Sequence, residues 1–194
     1  MQLTPQLLIN AYSQGLFPMA GKNGAIYWYD PDPRAILPLE TFHVSRRLAR
    51  TTRRKKFELR VDTAFKAVIS ACARLGQDNT GNWINREIID AYTQLHHLGF
   101  AHSVESWQDG KLVGGLYGVS LRGLFAGESM FSLERDASKV ALVHLVERLR
   151  QGGFVLLDTQ FITPHLQQFG AIEISRQAYK LRLARAMGVR GQGE

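Results

Sequence analysis

The sequence KLVGGLYGVSLRGLFAGESMFSLERDASKVALVHLVERLRQGGFVLLDTQF, residues 111–161, decides the fold of this chain. Two stretches within it, 111–119 and 124–132, carry the apolar, aromatic and small residues typical of strands, and a short turn separates them. Asp109-Gly110 comes just before the first stretch and is a strong signal for a tight hairpin turn to a further strand over 101–108. These residues therefore predict an antiparallel meander of three strands.

A helix and a buried strand follow the meander. Asp136 and Ser138 begin a predicted long helix, and Gly152-Gly153 ends it. The next run, 154–157, is continuously apolar, which is typical of a strand covered on both faces. Asp158-Thr159-Gln160 comes directly after this run. A carboxylate and an amide are therefore expected at the end of a buried strand, where ligands commonly bind in sheets packed by helices.

The other parts of the chain give weaker signals. Thr4-Pro5 caps a predicted short helix over 3–15, and the proline-rich residues 17–38 predict an ordered loop with one short strand. The remaining predicted elements are a strand over 58–61, a helix that Asp62 caps and Gly76 ends, a polar loop over 77–82, a helix that Asn85 caps, a short helix from Thr163-Pro164, a strand around Ile172 and Ile174, a terminal helix from Ser175 and a loose tail after Met187.

Together these elements predict an α+β fold with a central mixed sheet flanked by helices. We expect a small N-terminal helix and loop domain over 1–38 and a larger domain over 39–194.

The composition indicates a globular protein with a polyanionic partner. The chain has 194 residues, of which 45% are hydrophobic and 21% charged, enough for a sizeable core. No apolar run is long enough to cross a bilayer, Cys72 is the only cysteine and there is no export signal, so we expect a cytoplasmic protein. Nothing in the sequence indicates an obligate dimer, so we expect a monomer. No cysteine or histidine cluster has zinc-site spacing. The net charge of +7 favours an anionic partner.

The positive charge is concentrated in one segment, SRRLARTTRRKKF at 45–57, which contains no acidic residue. We call its seven cations the basic block: Arg46, Arg47, Arg50, Arg53, Arg54, Lys55 and Lys56. Such a block predicts several contacts with nucleic-acid phosphates. The alternative is a solvated helix face, which is the usual meaning of a charge run.

Glu128 is the one carboxylate in its predicted strand, among small and apolar residues. Together with Asp158 and Gln160 it forms the candidate site. From the residues alone, a functional site and a solvated strand residue beside a turn cap are both open.

Several segments in order resemble the leucyl/phenylalanyl-tRNA–protein transferase family. The resemblance is carried by AYSQGLFPM, YWYDPDPRAIL, FHVSRR, AYTQLHHLGFAHSVE, LVGGLYGVSLRGLFAGESMFSLERDASKVAL and LLDTQF, and it covers nearly the whole chain. GESMFS and the D-x-Q of Asp158 and Gln160 are its most specific parts. Longer family members carry extra residues before the AY segment, and Met1 lies eleven residues before Tyr12, so an abbreviated N-terminal domain is expected.

The resemblance implies a GNAT-type acyltransferase fold and a reaction. Leucine or phenylalanine moves from aminoacyl-tRNA to the N-terminal amine of a protein that begins with Arg or Lys, marking it for N-degron degradation. Because the aminoacyl ester is already activated, no cofactor is expected. Catalysis then needs positioning, a neutral amine and a route for its proton.

For that reaction the apolar donor side chain needs a pocket. We expect Leu116, Phe125, Met130 and Phe131 to line it, with Gly114, Gly115 and Gly127 leaving room, although some of these are core residues. Discrimination by such a pocket is modest, so methionine is a third possible donor.

The resemblance also assigns Asp158 and Gln160 to orienting and deprotonating the amine. An amide is a poor base, so we interpret Gln160 as an orienting acceptor, Asp158 as its electrostatic partner or as the group that holds the acceptor end, and Glu128 as the carboxylate near the reacting centre. Water and the tRNA terminal hydroxyl stay open as proton acceptors. Tyr12 and Trp28 are candidates to stack on the terminal adenine.

Three other functions stay open at this point. An acetyltransferase would need a pyrophosphate cradle, yet the join FSLERDASK has no glycine and contains Glu134 and Asp136. A non-catalytic RNA-binding module would use the basic block and leave Asp158 and Gln160 without a role. A structural interaction domain would explain the fold alone.

Overall fold

The computed structural model describes residues 2–75 and 83–189. Within these residues the helices are α1 (Pro5–Ser13), α2 (Arg46–Arg53), α3 (Phe65–Leu75), α4 (Arg86–His97), α5 (Ala137–Gln151), α6 (Pro164–Gln167) and α7 (Arg176–Met187). The strands are β1 (Phe17–Ala20), β2 (Ile26–Tyr29), β3 (Arg34–Ile36), β4 (Glu58–Val61), β5 (Ala101–Gln108), β6 (Lys111–Leu121), β7 (Leu124–Ser132), β8 (Leu156–Gln160) and β9 (Ile172–Ile174).

Seven strands form a mixed sheet in the order β4-β5-β6-β7-β8-β3-β9, and β1 and β2 form a separate hairpin. The β7–β8 pair is parallel, and the other neighbours are antiparallel. One core cluster joins α1, α3 and α4 to the sheet, and a second joins α2, α5 and α6. The predicted fold class, α+β with a central mixed sheet flanked by helices, is confirmed.

The meander follows the sequence prediction closely. β5 and β7 have the predicted bounds, and β6 extends two residues further than predicted. Asp109 and Gly110 adopt φ values of 52° and 74°, as a two-residue turn with both central residues left-handed requires. The buried strand after α5 is displaced: β8 begins at Leu156 and includes residues 158–160, which therefore lie within the strand and not after it.

The N-terminal part differs more from the prediction. α1 is present, and the Thr4 side chain accepts a hydrogen bond from Leu7 N at 3.2 Å. Residues 17–38 contain three strands where one was predicted: β1 and β2 pair with each other, and β3 inserts between β8 and β9 of the main sheet. The domain division at residue 38 stays a prediction.

Asp62 does not cap α3, contrary to the prediction. It adopts φ 60° and accepts a hydrogen bond from Ser103 N at 2.9 Å. The backbone N–H groups of Thr63 and Ala64, just before α3, donate instead to the fully buried carboxylate of Glu105 on β5, at 3.0 and 2.8 Å. Asn85 caps α4 as predicted, accepting from Ile88 N at 3.0 Å. A tertiary carboxylate has replaced the local cap at α3.

Three predictions lie wholly or partly outside the described residues: the helix end at Gly76, the loop over 77–82 and the tail beyond residue 189. Within the described residues, no helix combines the length and apolar character needed to span a membrane.

Glu105 provides a stability prediction. Glu105→Gln places an amide N–H₂ among N–H and O–H donors, so we expect the free energy of unfolding to fall by about 2 kcal/mol, the cost of unsatisfied buried polar groups. Urea denaturation measures it. The control is Glu58→Gln at an exposed position, with an expected change below about 0.5 kcal/mol. Equal changes in the two variants would contradict the capping role.

Candidate active site

A cavity opens where β7 and β8 separate. The two strands are in register from Leu124 and Leu156 to Ala126 and Asp158, and the cavity of about 320 Å³ lies beyond this ladder. Its lining comes from both faces of the sheet and includes Met19, Trp83, Leu116, Tyr117, Gly127, Glu128, Met130, Leu142, Leu145, Leu157, Thr159, Gln160, Phe161, Thr163, His165 and Leu166. A concave, mostly apolar site with a few polar groups is typical of ligand binding.

Glu128 enters the cavity because β7 contains a bulge. Gly127 pairs with Gly118 and Ser129 pairs with Tyr117, so Glu128 is the extra residue on β7. A bulge locally interrupts the ladder and re-aims a side chain, and bulges are frequent next to active sites. The bulge therefore places one carboxylate in the gap between two strands.

The Glu128 carboxylate is satisfied on one oxygen only. Its Oε1 accepts a short hydrogen bond from the Tyr12 hydroxyl and a second from Gln160 Nε2 at 3.2 Å. Tyr12 in turn lies 2.5 Å from the hydroxyl of Tyr92. Glu128 Oε2 is buried and has no hydrogen-bond partner among the described residues. One oxygen is thus held in place while the other is available to a ligand.

Burial raises the pKa of Glu128 to about 8, and the negative charge of Asp158 contributes in the same direction. The hydrogen bond from Tyr12 opposes this rise. Burial also raises the pKa values of Tyr12, Tyr92 and Tyr117 well above 10, and the charge of Glu128 adds to the effect. The phenols therefore stay protonated and serve as donors, while Glu128 titrates near neutral pH.

Asp158 lies behind the cavity in a buried ion pair. Arg34 donates to both carboxylate oxygens, with Nε–Oδ1 at 3.1 Å and Nη2–Oδ2 at 2.7 Å, and each side chain is 1% exposed. The Tyr179 hydroxyl donates to Oδ2 at 2.8 Å. Oδ1 also accepts from the backbone N–H of Gln160 at 2.8 Å. Asp158 is therefore fully engaged by protein groups and does not line the cavity.

Gln160 is held in a strained backbone conformation. Its φ is 65°, and Phe161 N donates to the carbonyl of Thr159 at 2.7 Å, which closes a three-residue turn around it. A non-glycine residue in this region is costly and persists only where the surroundings enforce it. The Asp158 carboxylate enforces it here, and the turn presents the Gln160 amide to Glu128.

Four lining residues carry a buried polar atom without a hydrogen-bond partner in the described chain: Tyr117 Oη, Glu128 Oε2, Thr159 Oγ1 and His165 Nε2. Buried polar groups in folded proteins are nearly always paired, so four such atoms around one cavity indicate a site shaped for a polar ligand.

The structure brings five predicted site residues together and separates others from them. Glu128, Gln160, Leu116, Gly127 and Met130 line the cavity. Three predicted pocket residues belong elsewhere. Phe125 and Phe131 are buried in the two cores, because their side chains pack under helices on opposite faces. Gly115 faces β5, where an added Cβ would lie 2.7 Å from the carbonyl of Val104, so its lack of a side chain serves backbone packing.

The stacking candidates are also corrected in part. Tyr12 is 1% exposed and bonded to Glu128, so it cannot stack on a base. Trp28 lies on β2 and is 37% exposed, outside the lining of the cavity. Met19 on the neighbouring strand β1 does line the cavity.

The basic block forms α2 and the turn after it, and all seven side chains are exposed. Acidic residues from another part of the chain lie next to this segment in the fold. Arg47 forms a two-point pair with Asp136 at 2.5 and 3.0 Å, and Lys56 lies 3.9 Å from Glu134. The Arg47 guanidinium lowers the pKa of Asp136, chiefly through these hydrogen bonds. Five cations make no ion pair with a described residue: Arg46, Arg50, Arg53, Arg54 and Lys55.

Sequence reasoning missed Arg34, Tyr117, Thr159 and His165. The D-x-Q motif points to Thr159 by position, but no local signal marks the other three, because their partners or the cavity are distant in sequence. Within the described residues, no group of three or more His, Cys, Asp or Glu side chains is placed to hold a metal ion.

Comparisons with known proteins give the same family over nearly the whole chain. A family model described as leucyl/phenylalanyl-tRNA protein transferase matches residues 36–184, and the model of its N-terminal domain matches residues 1–32. Similar proteins named leucyl/phenylalanyl-tRNA–protein transferase occur in Herpetosiphon aurantiacus, at 65% identity over 96% of this chain and 95% of that protein, and in Paramagnetospirillum magneticum, at 59% over 95% and 90%.

Solved structures show similarity of fold only. The C-terminal domain of an Agrobacterium fabrum protein assigned as a lysylphosphatidylglycerol synthetase has a TM-score of 0.51 and 15% identity, covering 98% of this chain and 73% of that one.

The buried ion pair gives a second stability prediction. Arg34→Met leaves the Asp158 charge buried and unpaired, so we expect the free energy of unfolding to fall by about 3–5 kcal/mol. The double variant Arg34→Met/Asp158→Asn removes both charges and should recover part of this loss. Urea denaturation measures both.

The matched control is Arg60→Met, which breaks the exposed pair with Glu58 and should change the stability by less than about 1 kcal/mol. If Arg34→Met is no more harmful than Arg60→Met, the ion pair does not have the role assigned to it.

Proposed function

The chain belongs to the leucyl/phenylalanyl-tRNA–protein transferase family, and we propose that the cavity between β7 and β8 is where it carries out its reaction. The chain is an aminoacyltransferase that moves leucine or phenylalanine from aminoacyl-tRNA to the N-terminal amine of a protein. In this family such transfer marks the acceptor for N-degron degradation.

The observation that carries the site assignment is Glu128 Oε2, a buried carboxylate oxygen without a partner in the described chain. A protein's N-terminal amine has a pKa of about 7.7–8.0 in water. Burial places the pKa of Glu128 at about 8. Because these two pKa values are close, a proton passes from the acceptor ammonium to Glu128 with little change in free energy. A pKa near the operating pH also suits a general base.

The reaction then needs no further activation. Glu128 takes one proton from the ammonium, and the neutral amine attacks the carbonyl carbon of the aminoacyl ester. A C–N bond forms, the C–O bond to the tRNA ribose breaks, and the second proton of the amine passes to the departing ribose oxygen. Water between the two groups is a route for that last proton.

Gln160 and Asp158 act on Glu128 in this proposal and do not exchange protons. The Gln160 amide and the Tyr12 hydroxyl fix Oε1, which leaves Oε2 for the acceptor amine. Asp158 holds the strained turn that carries the Gln160 amide. This assigns the pair to positioning, because an amide has too little proton affinity to serve as a base at neutral pH.

The donor side chain occupies the apolar part of the cavity, which Leu116, Met130 and Leu157 line beside Gly127. The absence of a side chain at Gly127 leaves room between the strands. Since an apolar pocket separates residues of similar size only weakly, we include methionine among the donors.

The acceptors we propose are proteins that begin with Arg or Lys, since their two cationic groups suit a site whose charged residue is a carboxylate. We place the reaction in the cytoplasm, where charged tRNA is available, and propose that the chain acts as a monomer. Exposed cations of the basic block hold the tRNA phosphates, and Trp28 is available on the surface for stacking.

The first experiment is a transfer assay with tRNA labelled in its leucine or phenylalanine and a peptide that begins with Arg. Wild-type protein should move label to the peptide N-terminus. Glu128→Gln should lower kcat about 10²- to 10⁴-fold, the contribution of one general base, with little change in KM for aminoacyl-tRNA. The defect should shrink as the pH rises past about 8, because the peptide amine then loses its proton to water.

Glu173→Gln, at an exposed carboxylate on β9, is the control and should retain full activity. A Glu128→Gln enzyme with the wild-type rate at pH 7 would exclude the base role. Binding of tRNA without any transfer by the wild-type protein would favour a non-catalytic RNA-binding module instead.

The basic block gives a salt-dependence prediction. Arg50→Ala/Arg53→Ala should weaken tRNA binding and reduce the slope of log K against log salt by about 0.7–0.9 for each phosphate that the protein no longer neutralises. Filter binding at several salt concentrations measures this. Arg182→Ala, an exposed arginine on α7, should leave both affinity and slope unchanged. An unchanged slope in the α2 variant would show that α2 is a solvated face.

A further inference from the structure

His165 presents an unpartnered donor to the cavity from the face opposite Glu128. Its Nε2 is buried, lines the cavity and has no hydrogen-bond partner among the described residues. The amide Nε2 of Gln168 lies 3.5 Å from His165 Nδ1. In the tautomer in which Nδ1 accepts from this amide, the ring proton belongs to Nε2. The cavity therefore has an acid–base carboxylate on one side and a neutral N–H donor on the other.

Ring packing fixes His165 on the side of the basic block. The imidazole packs edge-on against Phe169, with ring centres 5.7 Å apart, and Phe169 stacks on Phe42 at 5.4 Å. Phe42 lies three residues before Ser45, which caps α2. The start of the basic block and His165 are thus joined through two aromatic rings.

Lys139 on α5 adds positive charge on the same side. Its side chain is 25% exposed, and its charge joins burial in lowering the pKa of His165, so the imidazole is neutral at pH 7. Lys139 also lies 4.0 Å from Asp136, the partner of Arg47. Arg47 on α2 thus contacts Asp136, Asp136 lies beside Lys139, and the charge of Lys139 acts on His165. Glu128 lies among tyrosines on the opposite face.

We propose that His165 Nε2 donates a hydrogen bond to the ribose or phosphate oxygens of the terminal nucleotide of the donor, and so positions the aminoacyl ester against Glu128. The inference rests on the proposed function for the identity of the donor. An oxygen-rich ligand suits this side, because it offers an imidazole nitrogen without a partner and the ammonium of Lys139, and no described carboxylate is bonded to the imidazole. The acceptor ammonium, which needs an acceptor oxygen, binds on the Glu128 side.

The test compares His165→Phe, which keeps a ring but removes the donor, with His165→Gln, whose amide N–H₂ reaches a similar position. Two donors are used: full leucyl-tRNA, and leucine esterified to the 3′-hydroxyl of 5′-AMP. His165→Phe should raise KM for both donors roughly tenfold, the scale of one hydrogen bond, and leave KM for the acceptor peptide unchanged. His165→Gln should restore most of the affinity.

Two matched variants identify the contact. Arg50→Ala should raise KM for leucyl-tRNA only, because the short donor has no tRNA body to meet α2. His97→Phe, at an exposed histidine on α4, should leave KM unchanged for both donors. A rise in KM for the peptide, or no recovery in His165→Gln, would overturn the assignment.

A binding measurement separates this inference from the proposed function. The trinucleotide CCA, titrated calorimetrically, should bind the wild-type protein about tenfold more tightly than His165→Phe. If the wild-type protein transfers no amino acid but shows this difference, the His165 contact stands and the catalytic proposal fails. Equal binding by the two proteins would overturn the His165 contact whatever the transfer assay shows.

Discussion

The buried pair of Arg34 and Asp158 is the interaction on which the rest of the structure depends. The guanidinium reaches the carboxylate on β8, and its Nη1 donates to the carbonyl of Gly15, just after α1, at 2.8 Å. Tyr179 on α7 completes the shell of the carboxylate. Because an unpaired buried charge is strongly unfavourable, each of these segments must be in place together. The pair therefore joins the two ends of the chain to the sheet and fixes the turn at Gln160.

The gap between β7 and β8 follows from the same arrangement. β8 is engaged by β3 and Arg34 on one side, and a bulge interrupts the opposite pairing of β7 with β6 at Glu128. The two strands part after three residues of parallel ladder, and the polar atoms beyond are left facing a cavity. A low-polarity surrounding raises the pKa of Glu128 to about 8, while protonated tyrosines hold the carboxylate in place. The catalytic proposal is thus a consequence of strand geometry and desolvation.

Predictions from the sequence succeeded where the signal is local and failed where a distant partner decides. The Asp109-Gly110 turn needs only its own backbone conformation, and it was predicted correctly. Asp62 is a residue type that often caps helices, yet Glu105, 42 residues from Thr63, accepts the hydrogen bonds before α3. Tyr12 has an aromatic ring that could stack on a base, yet it is buried against Glu128, 116 residues away. Gly114 and Gly115 were expected to leave room for the donor side chain, but the groups that approach them belong to α5 and β5.

The sequence by itself determined the meander, the long helix, the α+β class and the family, and it predicted Glu128 and Gln160 as site residues, both of which line the cavity. Hydrophobic periodicity and turn chemistry act over a few residues, so they can be recognised in the sequence. Only the tertiary structure decided that Asp158 faces Arg34, that Glu128 has one held and one available oxygen, and that His165 lines the same cavity. These properties depend on desolvation and on hydrogen bonds between residues as far apart as 124 positions, which no local pattern records.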